Sequence, residues 1–163
     1  MSKLIVLRAN SGSGKSTIAT LLHAAIKNSV IIEQDYYIKY SAAAKTESQE
    51  LARRARIFTD VNAALAAYDT VILEGVFDSR RYTDNFNDLI VAHPENNYFF
   101  YINVSFEETL RRHQQRDKRH KFGEKEMRDW YIAQDAFHYP FETIIDEQLS
   151  IDATVAYILR SIR

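Results

Sequence analysis

The feature that most constrains this chain is the segment Arg8-Ala9-Asn10-Ser11-Gly12-Ser13-Gly14-Lys15-Ser16-Thr17, set between an apolar run and an amphipathic stretch. Before it, Lys3 to Leu7 has the unbroken aliphatic character of a strand covered on both faces. After it, Ile18, Leu21, Leu22, Ala25 and Ile26 recur with helical period between Ser16 and Lys27. Strand, glycine-bearing turn and helix in that order make a Walker A phosphate loop. Gly12 and Gly14 let the backbone curl so that successive N–H groups point at phosphate oxygens, and the helix adds the positive end of its dipole. On this pattern Ser11, Gly12, Ser13 and Gly14 cradle phosphates and Lys15 reaches the β- and γ-phosphates. The Ser16 hydroxyl completes a Mg²⁺ shell, and Thr17 anchors the loop or the α-phosphate. The pattern ordinarily opens on glycine; here Ala9 stands in that place, which works where φ is negative.

The rest of the chain alternates in the same way. Short apolar runs at Val30 to Ile32, Thr70 to Leu73 and Tyr98 to Val104, with a weaker one at Thr143 to Ile145, are separated by longer helix-like stretches. That order predicts an α/β fold on a parallel sheet. Thr46 with Gln49 and Ser105 with Glu108 have capping-box spacing. The first pair would open a helix reaching about Tyr68, the second a helix running through Arg112 toward Arg119. Gly123 marks a break before a further helix from Glu124 to about Phe137, and Ser150 to Ile162 reads as a last amphipathic helix. With 163 residues, 46% of them hydrophobic, and no linker-like stretch, one domain over residues 1–163 is expected.

Composition narrows the chemistry. The chain has no cysteine, so thiol nucleophiles, disulfides and Cys-ligated metals are excluded, and a reducing, cytoplasmic setting is expected. A formal net charge of -1 argues against a nucleic-acid or membrane-surface partner. His113 and His120 are the one histidine pair at helical spacing, without a carboxylate to complete a zinc set.

With the Walker A segment placed between strand and helix, the chain resembles the P-loop kinases of small molecules, the group containing uridine kinase-like, gluconate kinase-like, chloramphenicol phosphotransferase-like and zeta-toxin-like proteins. The resemblance covers nearly the whole chain in element order and is specific at residue level in the Walker A segment. It implies the P-loop NTPase three-layer sandwich, a five-stranded parallel sheet of order 2-3-1-4-5, with ATP and Mg²⁺ as cofactors and a small-molecule hydroxyl as acceptor. A nucleoside, sugar acid, nucleotide-sugar or antibiotic is admissible. A nucleic-acid 5′-hydroxyl kinase, or a switch that hydrolyses ATP without phosphorylating a partner, is the alternative.

In a parallel α/β sheet the ligand crevice lies outside the carboxyl ends of the strands. Asp35, just past the second strand, matches the aspartate that in the resembled families accepts the acceptor's proton; read locally, it could equally cap a helix. Glu74 ends the third strand at the position of a Walker B carboxylate, where it would hold a Mg²⁺-bound water or orient substrate, and Gly75 after it would allow a close approach. Tyr36, Phe77 and Asp78 are the further substrate-side candidates, although Asp78 also suits a helix N-cap. Which of Asp35, Glu74 and Asp78 is the base stays open. These three carboxylates together predict a neutral or cationic acceptor, contacted by aromatics such as Tyr36, Tyr37, Phe77 and Tyr82.

Arg112, Arg116 and Arg119 are spaced to share one helical face. By resemblance they belong to a lid over about residues 111–125, with Arg116 meeting the transferring phosphoryl group and Arg112 and Arg119 the nucleotide. Glu107 with Arg111 and Glu108 with Arg112 would also make ordinary ion pairs on a solvated helix.

Overall fold

Aliphatic runs too short to bury a helix become strands, and every one of them pairs in parallel. In the computed structural model, which describes residues 2–40, 46–115 and 122–163, these are β1 (Lys3–Arg8), β2 (Ser29–Glu33), β3 (Thr70–Gly75), β4 (Asn97–Asn103) and β5 (Glu142–Asp146). They form one sheet of order β2-β3-β1-β4-β5. Leu7 lies opposite Glu74, and Arg8 lies opposite both Gly75 and Tyr101. The carboxyl ends of the three central strands are therefore level, and the groups that follow them share one rim.

Helices cover both faces because the strands are apolar on both. Leu4, Val6, Val71 and Leu73 pack with Ile57 and Val61 of α3 (Glu47–Ala67) and with Phe86 and Leu89 of α4 (Ser79–Ala92). On the other face, Ile5, Leu7, Ile72 and Ile102 pack with Ile18 and Leu22 of α1 (Lys15–Ala25) and Ile158 of α7 (Ile151–Ser161). Burial of such side chains is worth about 1.5–3 kcal/mol each, and it fixes the strand ends against the helix starts. The remaining helices are α2 (Gln34–Tyr40), α5 (Phe106–Gln114) and α6 (Glu124–Trp130). Among the described residues no helix is long and apolar enough to cross a membrane.

The caps expected at Thr46, Ser105 and Ser150 form. Thr46 Oγ1 accepts from Gln49 N at 3.2 Å, Ser105 Oγ from Glu108 N at 3.3 Å and Ser150 Oγ from Ala153 N at 3.2 Å. Gln34 to Tyr40 is a helix that starts directly off β2, with Asp35 in its first turn. One expectation fails: the helix expected from Glu124 to about Phe137 stops at Trp130, and Tyr131 is already extended. Gln134 and His138 take left-handed φ values of 52° and 60°, which a helix does not admit. The chain leaves the helix there because distant side chains from the end of β1 hold its backbone, as described below. The stretch Arg116 to Lys121, with the lid candidates Arg116 and Arg119, lies outside the described residues.

Candidate active site

The phosphate loop is built by four local constraints. Gly12 has φ +85°, and a Cβ there would sit 2.7 Å from the Thr109 carbonyl oxygen, so only glycine fits between the loop and α5. Gly14, at φ 99°, caps α1, and Lys15 begins the helix. Arg112 Nη1 donates to the Ser13 carbonyl at 2.6 Å, tethering that carbonyl to α5. Asn10 grips the far side through both of its amide atoms: Nδ2 donates to Ile132 O at 2.8 Å and Oδ1 accepts from Ile132 N at 2.9 Å. Arg112, expected to meet nucleotide, thus braces the loop from outside.

Inside the crook of the loop stands Glu74. It is 3% exposed, a buried carboxylate instead of a solvated strand end. Ser16 Oγ donates to Glu74 Oε1 at 3.0 Å, and Glu74 Oε2 is buried without a hydrogen-bond partner among the described residues. Burial pushes the Glu74 carboxyl above its usual range, the Lys15 charge and the Ser16 hydroxyl pull it back, and the nearby charges of Asp35 and Glu33 raise it again. Lys15 is itself buried. An ammonium, a hydroxyl and a half-satisfied carboxylate at a helix start form an oxygen-rich corner. Its donor set suits a hard divalent cation together with phosphate.

Asp35 sits in the first turn of α2, exposed to solvent. It is positioned by its neighbours: Gln34 is buried, and its Oε1 accepts from Val76 N at 2.8 Å and Phe77 N at 3.3 Å. A Cβ on Gly75 would collide with the Gln34 side chain at 2.6 Å, so the glycine at the end of β3 lets α2 dock there. Tyr37 Oη donates to Asp60 Oδ2 at 2.8 Å and ties α2 to α3. Tyr36 and Tyr37 also line a cavity of about 340 Å³ with Ile31, Ile32 and Glu33.

Searches against family models and against curated proteins find no match. Solved structures do match over nearly the whole chain. A gluconokinase from Sinorhizobium meliloti 1021 is 19% identical with a TM-score of 0.71, over 98% of this chain and 93% of that one. The tunicamycin resistance protein of Deinococcus radiodurans is 18% identical with a TM-score of 0.71, over 99% and 96%. The APS kinase of Mycobacterium tuberculosis, in complex with AMPPNP and APS, is 13% identical with a TM-score of 0.68, over 98% and 96%. The chain has the P-loop NTPase α/β fold.

Within this fold, three of the sequence candidates come to the level rim of the sheet: Lys15, Ser16 and Glu74. Asp35 stands close enough for its charge to act on Glu74. Ser11, Gly12, Ser13 and Gly14 form the loop, and Thr17 is exposed in the first turn of α1. Phe77, expected at the substrate, has no exposed surface; its ring packs edge-on against Tyr82 and Phe86 at 5.1 and 5.4 Å. Asp78 caps α4, with Oδ1 accepting from Arg80 N at 3.0 Å, and the Arg80 guanidinium holds its carboxyl below the usual range. The His113 ring stacks on Phe122 at 4.5 Å, and its Nε2 meets the Phe122 carbonyl at 2.9 Å.

The sequence reading overlooks the residue just before the loop. Arg8 is completely buried at the end of β1. Its Nη2 donates to Phe77 O at 2.9 Å, Asp135 O at 2.7 Å and Asp135 Oδ2 at 3.1 Å, and Nη1 donates to Glu142 Oε1 at 3.0 Å. Nε adds a bond to Phe77 O at 3.2 Å, and the guanidinium lies 3.5 Å from the Phe137 ring centroid. Asp135 in turn accepts from Ser79 Oγ at 2.5 Å, and Glu142 Oε2 from Phe137 N at 2.6 Å. One side chain thereby fixes Phe77 in its left-handed φ of 44°, the start of α4, and the stretch after α6. The signal was a charge ending an otherwise apolar strand.

Proposed function

We propose that this chain is a kinase that moves the γ-phosphoryl group of ATP to a hydroxyl on a small molecule. The observation that carries the reading is the corner of Lys15, Ser16 and Glu74 under a loop whose carbonyl at Ser13 is tied to α5. Ser16 and Glu74 would hold Mg²⁺, since a buried carboxylate oxygen without a partner is stabilised by a cation it can ligate. When bound, the metal neutralises charge on the β- and γ-phosphate oxygens.

The chain's own groups supply the rest. Loop amides and Lys15 hold the triphosphate in one orientation. Asp35 orients the acceptor hydroxyl. As the acceptor oxygen bonds to the γ-phosphorus, the bond from phosphorus to the β–γ bridging oxygen breaks, ADP leaves with that electron pair, and the hydroxyl proton passes to the Asp35 carboxylate. A carboxylate suits a loose transition state, in which the proton leaves late. Arg116, with Arg119, is proposed to close over the developing charge. The names gluconokinase and APS kinase on the structural neighbours agree with a small hydroxyl acceptor.

Titration calorimetry of ATP·Mg²⁺ tests the reading. Lys15→Ala should abolish saturable binding while leaving the circular dichroism and melting transition in place, because the residue faces the ligand and adds nothing to either core. Equal affinity in the variant and the parent would overturn the phosphate-loop assignment.

A further inference from the structure

The seam between α3 and α4 holds two arginines that the local acids do not neutralise. Arg53 and Arg54 lie in the second turn of α3, with side chains only 16% and 14% exposed. They share one carboxylate, Glu50. Arg53 Nη2 bonds to Glu50 Oε2, whereas Arg54 Nε stands 4.0 Å from Glu50 Oε1, beyond hydrogen-bond reach. Arg54 Nη1 donates to the Arg81 carbonyl at 2.6 Å. The Nε of each arginine is buried with no hydrogen-bond partner among the described residues. Removing a guanidinium donor from water without an acceptor costs free energy, and a net positive charge at low exposure adds to that cost.

The seam adjoins the site. The Arg54 guanidinium lies 5.7 Å from the centroid of the Tyr82 ring, which packs edge-on against Phe77 at 5.1 Å, and Phe77 N donates to Oε1 of Gln34, the residue before Asp35, at 3.3 Å. Gln34 spans to the backbone just past Glu74. The arginines, Asp35 and Glu74 thus border one rim. One of the three carboxylates expected on this side is paired within its own turn: Arg80 Nη2 meets Asp78 Oδ2 at 2.7 Å, with Arg81 Nε at 3.8 Å.

We infer that Arg53 and Arg54 form an anion subsite on the acceptor side, so that the acceptor carries a phosphate, sulfate or carboxylate group besides its reacting hydroxyl. This rests on the phosphoryl-transfer reading above and reverses the expectation of a neutral or cationic acceptor. Two planar guanidiniums with unused N–H donors match a tetrahedral or planar oxyanion, which would satisfy both Nε groups and balance the charge that Glu50 leaves. The subsite takes no part in the transfer; it holds the acceptor so that the hydroxyl stays at Asp35.

The test reads the arginines directly. With the phosphate loop saturated by AMPPNP·Mg²⁺, the ¹⁵N-labelled protein is titrated with inorganic phosphate, sulfate and acetate while the Arg Nε–H resonances are followed, assigned through Arg53→Lys and Arg54→Lys. Saturable shifts of both resonances are expected, and the preferred probe separates phosphate-like from carboxylate-bearing acceptors. Glu50→Gln should tighten phosphate binding by about two- to fivefold, since it removes the competing carboxylate, whereas a purely structural cluster would only lose stability. Arg53→Met with Arg54→Met should abolish the binding, with the melting transition recorded in parallel. Absence of saturable shifts in the parent protein, or weaker phosphate binding in Glu50→Gln, would overturn the subsite. Failure of AMPPNP·Mg²⁺ to bind would instead overturn the kinase reading, and the arginine titration would then be read on the nucleotide-free protein.

Discussion

Arginine is buried at two places beside the same rim, with opposite completeness. Arg8 is one guanidinium facing two carboxylates and two carbonyls, and its bonds close on the protein itself. Arg53 and Arg54 are two guanidiniums facing one carboxylate, with a donor on each left over. A satisfied cluster holds the fold in one arrangement; an unsatisfied one has capacity for a ligand. Glu74 belongs with the second kind, because one of its buried oxygens bonds to Ser16 and the other has no partner among the described residues.

Substitution of each arginine should separate the two kinds most sharply. Arg8→Met leaves Asp135 and Glu142 buried without their cation, and the expected loss is about 3–5 kcal/mol of unfolding free energy in urea. Arg54→Met removes the charge that stands beyond hydrogen-bond reach of Glu50 and should change stability by less than about 1 kcal/mol. Similar losses for both would erase the distinction.

Glu74→Gln comes next. The variant keeps the shape and an acceptor for Ser16 but removes the buried charge, so the ligand-free protein should be as stable as the parent or more so. ATP·Mg²⁺ affinity should fall by about 10–100-fold, measured at several Mg²⁺ concentrations. A variant destabilised without nucleotide would place Glu74 with Arg8 as a structural group.

The smallest effect concerns Glu108, whose carboxyl is held down to about 2 by hydrogen bonds from Arg111 and Arg112. A depressed carboxylate contributes stability that is present above its ordinary value near 4.5 and is lost as pH falls through about 2. The pair is solvent-exposed, so the slope is small. Glu108→Gln should flatten it in acid-unfolding curves, and an unchanged slope would show that Arg112 braces the Ser13 carbonyl without help from its acid.

Much of this arrangement is legible in the sequence because it is local. The motif of the phosphate loop, the helix caps and the apolar run that ends in Glu74 are each written in residues within a few positions of one another. The stretch after α6 is not, since its path is set by Asn10 acting across 122 positions. A run of aromatics carries no periodicity that reports such a partner. Arg53 and Arg54 are hidden for a related reason: on a helix they look like ordinary partners of Glu50, and only the packing of α4 against α3 buries them. Asp78 reads as a free acid in the sequence, whereas Arg80 turns back onto it from two residues ahead. Phe77 looked like a pocket residue because nothing in its neighbourhood reveals that Arg8 draws its backbone inward.

The central claim is that Asp35 directs a phosphoryl group to an acceptor and not to water. The direct measurement uses ATP labelled in the γ-phosphate with an anionic small-molecule fraction of a cell extract, comparing the parent with Asp35→Asn. The account predicts label in phosphate monoesters with the parent, with unchanged ATP affinity and roughly 10²–10⁴-fold slower monoester formation in the variant. Release of all label as inorganic phosphate, at the same rate in both proteins, would contradict it.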